Sequence, residues 1–252
     1  MSGKVSLHAL FYLAVFGVGT TVDIDDEDFI KNCVDTHNLY RSQVDPPASD
    51  MLYMSWDGIL AEVALAWSKK CIFEHNSDLQ TKGKLHPVFN TLGENIHVTT
   101  GSKVNVTAAI KSWYDEVKHY NYDSRRCTKV CGHYTQLVWA SSYKVGCAVH
   151  YCPNGITTFT SRPSSIFVCD YGPPGNYPRH PYSRGKACTK CPQEWCENKL
   201  CRNATRDVTR HSNSPCDNYC ITVLVIRPFL IIIIVSGVYL AQQKYTNMFA
   251  YV

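Results

Sequence analysis

The sequence predicts an α+β fold, helices packed on an antiparallel sheet, heavily cross-linked by disulfides and followed by a C-terminal transmembrane helix. Three observations carry this prediction. Apolar residues recur at helical spacing through the first half, whereas β-branched and aromatic runs separated by polar or Gly/Pro/Ser turns dominate residues 134–171. Helices first and strands later is the order of an α+β domain. Thirteen cysteines in 252 residues require an oxidising compartment, and the odd count leaves at least one thiol outside any intrachain bridge. Zinc knuckles would need recurrent Cys-x-x-Cys pairs, and only Cys188 and Cys191 stand at that spacing. The formal net charge is +4 and no run of Lys or Arg forms a basic stripe, so nucleic acid is not an expected partner.

In chain order, residues 1–20 hold Lys4, an apolar run over 7–18 and the small residues Gly17, Gly19 and Thr20, the pattern of a signal peptide. A first helix is expected from Phe29, Ile30, Cys33, Val34 and His37, ended by Pro46-Pro47. A second is expected over 56–71 on the face Ile59, Leu60, Val63, Ala64 and Trp67. Residues 76–91, polar with Gly83 and Pro87, read as a loop. A third helix is expected over 106–120 with Ala109, Ile110, Trp113 and Val117 inward. Strands are expected over 134–139, 145–151 and 166–171, after which the Gly/Pro-rich stretch 172–178 closes a domain of residues 22–180.

Four cysteines between Cys188 and Cys201 make residues 181–202 a stapled module, and polar residues 203–220 read as a stalk. Asn105-Val106-Thr107 and Asn203-Ala204-Thr205 are glycosylation acceptors. The apolar segment 221–241 is interrupted by Arg227-Pro228 but has the roughly 20 residues that span a bilayer, and an arginine near its outer end can snorkel. A polar tail, 242–252 with Lys244, follows it, which a GPI signal would lack. The expected arrangement is single-pass type I, with the N-terminal domain outside; the competing reading is a greasy helix docked on the domain. Cys220 can be acylated or pair with Cys216.

The stretch from Gly132 to Ser142 places His133 and Gln136 among core-type Tyr134, Leu137, Val138 and Trp139. With His75, Glu94 and Glu116 on other elements, His133 completes a set of two imidazoles and two carboxylates. Their separation in sequence leaves open whether they converge.

Gly132-His133-Tyr134-Thr135-Gln136-Leu137-Val138-Trp139 resembles the signature of the CAP superfamily, which includes cysteine-rich secretory, antigen 5 and pathogenesis-related proteins. Phe167-Val168-Cys169-Asp170-Tyr171 with Gly175-Asn176-Tyr177 resembles its second signature. His37-Asn38-Leu39-Tyr40-Arg41 and Gly93-Glu94-Asn95-Ile96 resemble two smaller ones. One departure is Asp170, where the family usually has an amide or a base. The resemblance implies a three-layer α-β-α sandwich with a cleft lined by His75, Glu94, Glu116 and His133. The two imidazoles would hold a divalent metal, usually Zn2+, with Glu94 and Glu116 orienting the rings. Two protein ligands leave such an ion half-solvated and weakly held. The alternative is a His/Glu network that ties elements together and binds metal only incidentally. The resemblance further implies disulfides Cys71–Cys152, Cys127–Cys131, Cys147–Cys169, Cys188–Cys196 and Cys191–Cys201, leaving Cys33, Cys216 and Cys220 unassigned. Positions of a further bridge in cysteine-rich secretory proteins are here Leu92 and Gly172, both changed together. Their six-cysteine ion-channel-regulatory domain is missing, so channel blocking does not transfer.

The expected function is that of a non-enzymatic extracellular module, anchored to a membrane and binding a sterol, a fatty acid or an extracellular protein. The segment from His97 to Val106 is polar and has no Phe, Tyr or Trp, which counts against a lipid-loading loop there. One alternative is a metal-dependent hydrolase or protease using His75, His133 and Glu94 or Glu116, although His-Glu-x-x-His and Gly-x-Ser-x-Gly spacings are absent. Another is cell adhesion.

Overall fold

The structure is a computed structural model describing residues 22–191, 195–211 and 218–244, with side chains of 218–226 and 242 excluded. The expected signal peptide, Cys216, the Cys220 side chain and most of the tail lie outside the described residues. Residues 19–213 form one compact unit, and the C-terminal segment belongs to another.

Helix α1, Glu27–Ser42, starts where the Asp26 carboxylate accepts the Phe29 N–H at 2.7 Å, with Glu27 and Asp28 in the favourable first turn. It buries Phe29, Ile30, Cys33, Val34 and His37, the expected face. Strand β1 is only Ser55–Trp56, and Asp57 then caps α2, Gly58–Ser68, by accepting from Ile59 and Leu60. The second helix is therefore shorter than its periodicity suggested, because Ser55 and Trp56 are taken into the sheet. Strand β2, Gly93–Thr100, precedes α3, Val106–Tyr114, whose cap is the Asn105 carboxamide oxygen. The third helix tightens into a 3-10 turn at Asp115–His119 instead of continuing to 120. A two-residue pair, β3 (Tyr120–Asn121) and β4 (Arg126–Cys127), follows.

Residues 134–139, expected as a strand, are instead largely in α4, Gly132–Leu137. Aromatic and β-branched content misled here, since Tyr134 and Leu137, three apart, share one buried face. Strands β5, Lys144–Cys152, and β6, Ser164–Gly172, form the antiparallel centre of the sheet.

Sheet order is β1-β5-β6-β2, with β2 antiparallel to β6 but β1 parallel to β5. The expected antiparallel sheet is thus mixed, since the chain passes through α2, α3 and α4 before β5 returns beside β1, a crossover long enough for parallel pairing. Helix α2 covers one face: a Cβ on Gly146 would lie 2.1 Å from the Ala61 nitrogen. Helices α1, α3 and α4 cover the other, where Trp113 stacks on Phe167 at 5.3 Å. The layers are helix, sheet, helix.

Among the described residues five disulfides are present: Cys71–Cys152, Cys127–Cys131, Cys147–Cys169, Cys188–Cys196 and Cys191–Cys201, the pairing the resemblance implies. Cys33 is a buried free thiol. In the stapled module β7, Trp195–Glu197, pairs with β8, Leu200–Arg202, and the Cys201 backbone bonds Met51 and Tyr53 of the main domain. Residues 203–211, expected to begin a stalk, are tied to the same domain. Gly58 donates to the Arg210 carbonyl at 2.7 Å, Arg210 donates to the Trp56 carbonyl, and buried Lys144 donates to the Val208 carbonyl and Ser55 Oγ.

Helix α5, Asn218–Lys244, contains Pro228 and exposes Phe229, Leu230 and Ile231 to Ile234. Among the described residues no helix is long and apolar enough to cross a membrane; the first six side chains of the expected span 221–241 lie outside them.

Candidate functional site

Two His–Glu pairs flank the start of β2. His75 lies beyond the end of α2, which Cys71–Cys152 staples to the end of β5. Its Nδ1 meets Glu94 Oε1 at 2.7 Å, and the same oxygen accepts the Asn76 N–H at 3.0 Å. An ionised carboxylate only accepts, so Nδ1 carries the proton and Nε2 of the neutral ring presents a lone pair. The Glu94 hydrogen bond raises the His75 pKa above the ordinary imidazole value.

Glu116, in the 3-10 turn, makes the second pair. Its Oε1 meets His133 Nδ1 at 2.7 Å, and its Oε2 accepts the backbone N–H groups of His133 and Tyr134 at 3.0 and 3.2 Å. This satisfies two of the free donors at the first turn of α4, where Cys131 supplies no side-chain cap. Burial pushes the Glu116 pKa up, but the His133 bond and charge with these backbone donors outweigh it and hold it below the ordinary value. The His133 ring stacks nearly parallel on Trp113, with 6.2 Å between centroids.

The pairs are joined through β2. Glu94 and Asn95 are neighbours in a strand and point to opposite faces. Glu94 holds His75, while Asn95 Nδ2 donates to the His133 carbonyl and the Tyr171 hydroxyl, each at 3.1 Å. That hydroxyl donates onward to His37 Nε2 at 2.9 Å, and His37 Nδ1 donates to the Cys33 carbonyl. Burial lowers the His37 pKa to about 4, which keeps the ring neutral. Arg41 of the same motif is also buried and donates to the carbonyls of Leu52, Leu137, Trp139, Ala140 and Ser142, pinning the end of the signature stretch. Gln136 Oε1 accepts from Gly175, and a Cβ on Gly93 would lie 2.0 Å from that oxygen. These signature residues serve the scaffold that holds the histidines.

Each histidine is thus brought to its own glutamate. Among the described residues the four do not form one group of converging ligand atoms; the groups that do converge are Cys71, His150 and Cys152, and Cys188, Cys191 and Cys201. Their cysteines are disulfide-bonded and have no thiolate to offer. The donor chemistry of His75 and His133 nevertheless fits a metal such as zinc, since each ring has Nδ1 occupied by a carboxylate and Nε2 open.

Sequence reasoning had not assigned roles to Asn95, Trp113 or Asp170 here. Asp170 stands opposite Glu94 across the β2–β6 ladder, fully buried, and among the described residues both its oxygens and Glu94 Oε2 are without a hydrogen-bond partner. Burial first, and the Glu94 charge second, push the Asp170 carboxyl well above the usual range. The signal was in the sequence, as the acidic departure in the second signature. The acceptor Asn105 is exposed, and Asn203 is half-buried.

Comparison with known proteins agrees with this architecture. The chain is 45% identical over 243 residues to mouse glioma pathogenesis-related protein 1, covering 92% of this chain and 91% of that protein. It is 50% identical over 185 residues to bovine GLIPR1-like protein 1, covering 73% and 75%. The crystal structure of NaASP2 with Zn2+ superposes with a TM-score of 0.56 at 28% identity, covering 72% of this chain and 98% of that one. Residues 34–171 match the model of CAP, the cysteine-rich secretory protein family, and the chain belongs to that family.

Proposed function

We propose that the protein is a non-enzymatic binding module of the secretory pathway, tethered to a membrane through 221–241, whose His75 and His133 hold one divalent ion weakly. The observation that carries the metal reading is the repeated arrangement: in each pair a carboxylate takes Nδ1 at 2.7 Å and leaves Nε2 free. The Zn2+ named for the NaASP2 structure supports zinc as the ion. When bound, the ion supplies a Lewis-acidic centre with open positions. Glu94 and Glu116 orient the rings, and Trp113 fixes the plane of His133. The sole described free thiol, Cys33, is buried and its pKa is pushed up by burial, so it makes a poor nucleophile. That favours binding over thiol-based catalysis, with an extracellular protein or a lipid as the ligand. Exposed Phe229, Leu230 and Ile231 support the membrane tether.

Zinc titration calorimetry on the full-length protein tests this, with His75→Ala and His133→Ala beside it. Saturation near one ion per chain, lost in both folded variants, is the expected result. Heat unchanged by either substitution sinks the site and leaves the tetrad as scaffold.

A further inference from the structure

Folding brings together basic residues that the linear sequence keeps apart. Two stretches, 124–131 and 176–184, border adjoining cavities of about 480 and 620 Å3 that share Trp139, Arg179 and Pro181. The first cavity is bordered by Arg125 and Tyr177, the second by Tyr122, Arg184 and Lys190. The guanidinium groups are held on aromatic faces. Arg179 lies 5.5 Å from the Trp139 ring centre and 5.9 Å from that of Tyr177; Arg184 lies 4.8 Å from that of Tyr122. Arg125 is anchored by donating to the Pro178 carbonyl. The acids beside the cavities are engaged: Asp123 pairs with Arg184, and Asp50 accepts the Ser183 N–H. Arg179 and Lys190 have no carboxylate partner among the described residues.

We infer that this groove binds a sulfated polysaccharide. A guanidinium fixed on a ring loses little freedom on meeting a sulfate and offers a forked pair of donors to its oxygens. The concave walls suit a chain of sugars better than a flat bilayer surface. A peptide that binds by strand addition needs a strand edge, and among the described residues the only strands bordering the groove are the two-residue β3 and β4. An acidic chain held by the arginines alone is what the poly-glutamate arm of the test separates. The inference does not depend on the metal site.

The test measures binding of a heparin dodecasaccharide to the full-length protein at physiological ionic strength. Desulfated heparin, poly-glutamate and phosphatidylserine vesicles serve as competitors. Binding should weaken with salt, and Arg125→Ala with Arg179→Ala should lower affinity by roughly tenfold or more, with the slope against log salt falling by about one per cation removed. Arg179→Lys, which keeps charge but loses the fork, should lose about threefold. Lys82→Ala with Lys103→Ala, exposed cations outside the groove, should change nothing. No binding, an equal loss in the Lys82/Lys103 control, full affinity in the Arg125/Arg179 variant, or competition by any of the three competitors as strong as by heparin would overturn the inference. Circular dichroism of each variant separates lost binding from lost folding, and Arg179→Lys keeps the test decisive if the double variant fails to fold.

Discussion

The two His–Glu pairs share one bond length and differ in nearly everything around it. His75 has a side chain 62% exposed and leans on a Glu94 whose side chain is wholly buried; His133 and Glu116 are 26% and 17% exposed. His133 is held from several sides, by its glutamate, by Trp113 and through its own backbone, whereas one side-chain hydrogen bond holds the His75 ring. Glu116 also anchors the start of α4, while Glu94 carries an unpartnered oxygen beside Asp170. The same chemical pair is therefore part of the framework on one side of β2 and an appendage on the other.

Glu116→Ala should expose this difference most. It strands two backbone donors and a ring N–H, and we expect a loss of about 3 kcal/mol in urea unfolding, against about 1 kcal/mol for Glu94→Ala. Equal losses would erase the asymmetry.

Acid should act next, through the chain behind His133. The folded His37 pKa is about 4 against an ordinary 6.5, so the unfolded chain binds more protons between those values. Stability is fully present above pH 6.5 and falls as pH drops toward 4, by about 3 kcal/mol at most. His37→Gln should flatten that part of the profile; an unchanged slope would assign it to other groups.

Asp170→Asn should stabilise the fold at pH 7 by about 1 kcal/mol, because an amide offers Glu94 a donor without the proton that a carboxyl raised by burial must take up on folding. A lower urea midpoint in this variant would argue that Asp170 is already well paired. The smallest effect belongs to the rings themselves. His133→Ala should cost about 1 kcal/mol through the lost stack, and His75→Ala less than about 0.5 kcal/mol. The reverse order in thermal melts would show that exposure misjudges which ring is fixed.

Much of the framework was legible in the sequence, for reasons that differ between elements. The buried face of α1 appeared as periodicity, and β5 and β6 as apolar runs bounded by turns. Strand β2 was missed because Glu94 and Asn95 are polar and yet buried, each kept for a partner on a different face. Residues 134–139 misled because a short helix with Tyr134 and Leu137 inward has the composition of a strand. The contact of His75 with Glu94 and of His133 with Glu116 arises from separate elements, and no spacing encodes it; only the resemblance pointed there. The basic groove escaped for the same reason, since Arg125 and Arg179 meet only after folding.

The backbone bonds that fix Arg210 to β1 and α2 limit where a protease can cut the chain ahead of α5. Proteases take their substrates as free extended chain, and a segment whose Arg210 N–H and C=O are both engaged is not free. A fragment released by cleavage on the C-terminal side of this clamp carries Asn203 and any glycan on it away with the folded domain.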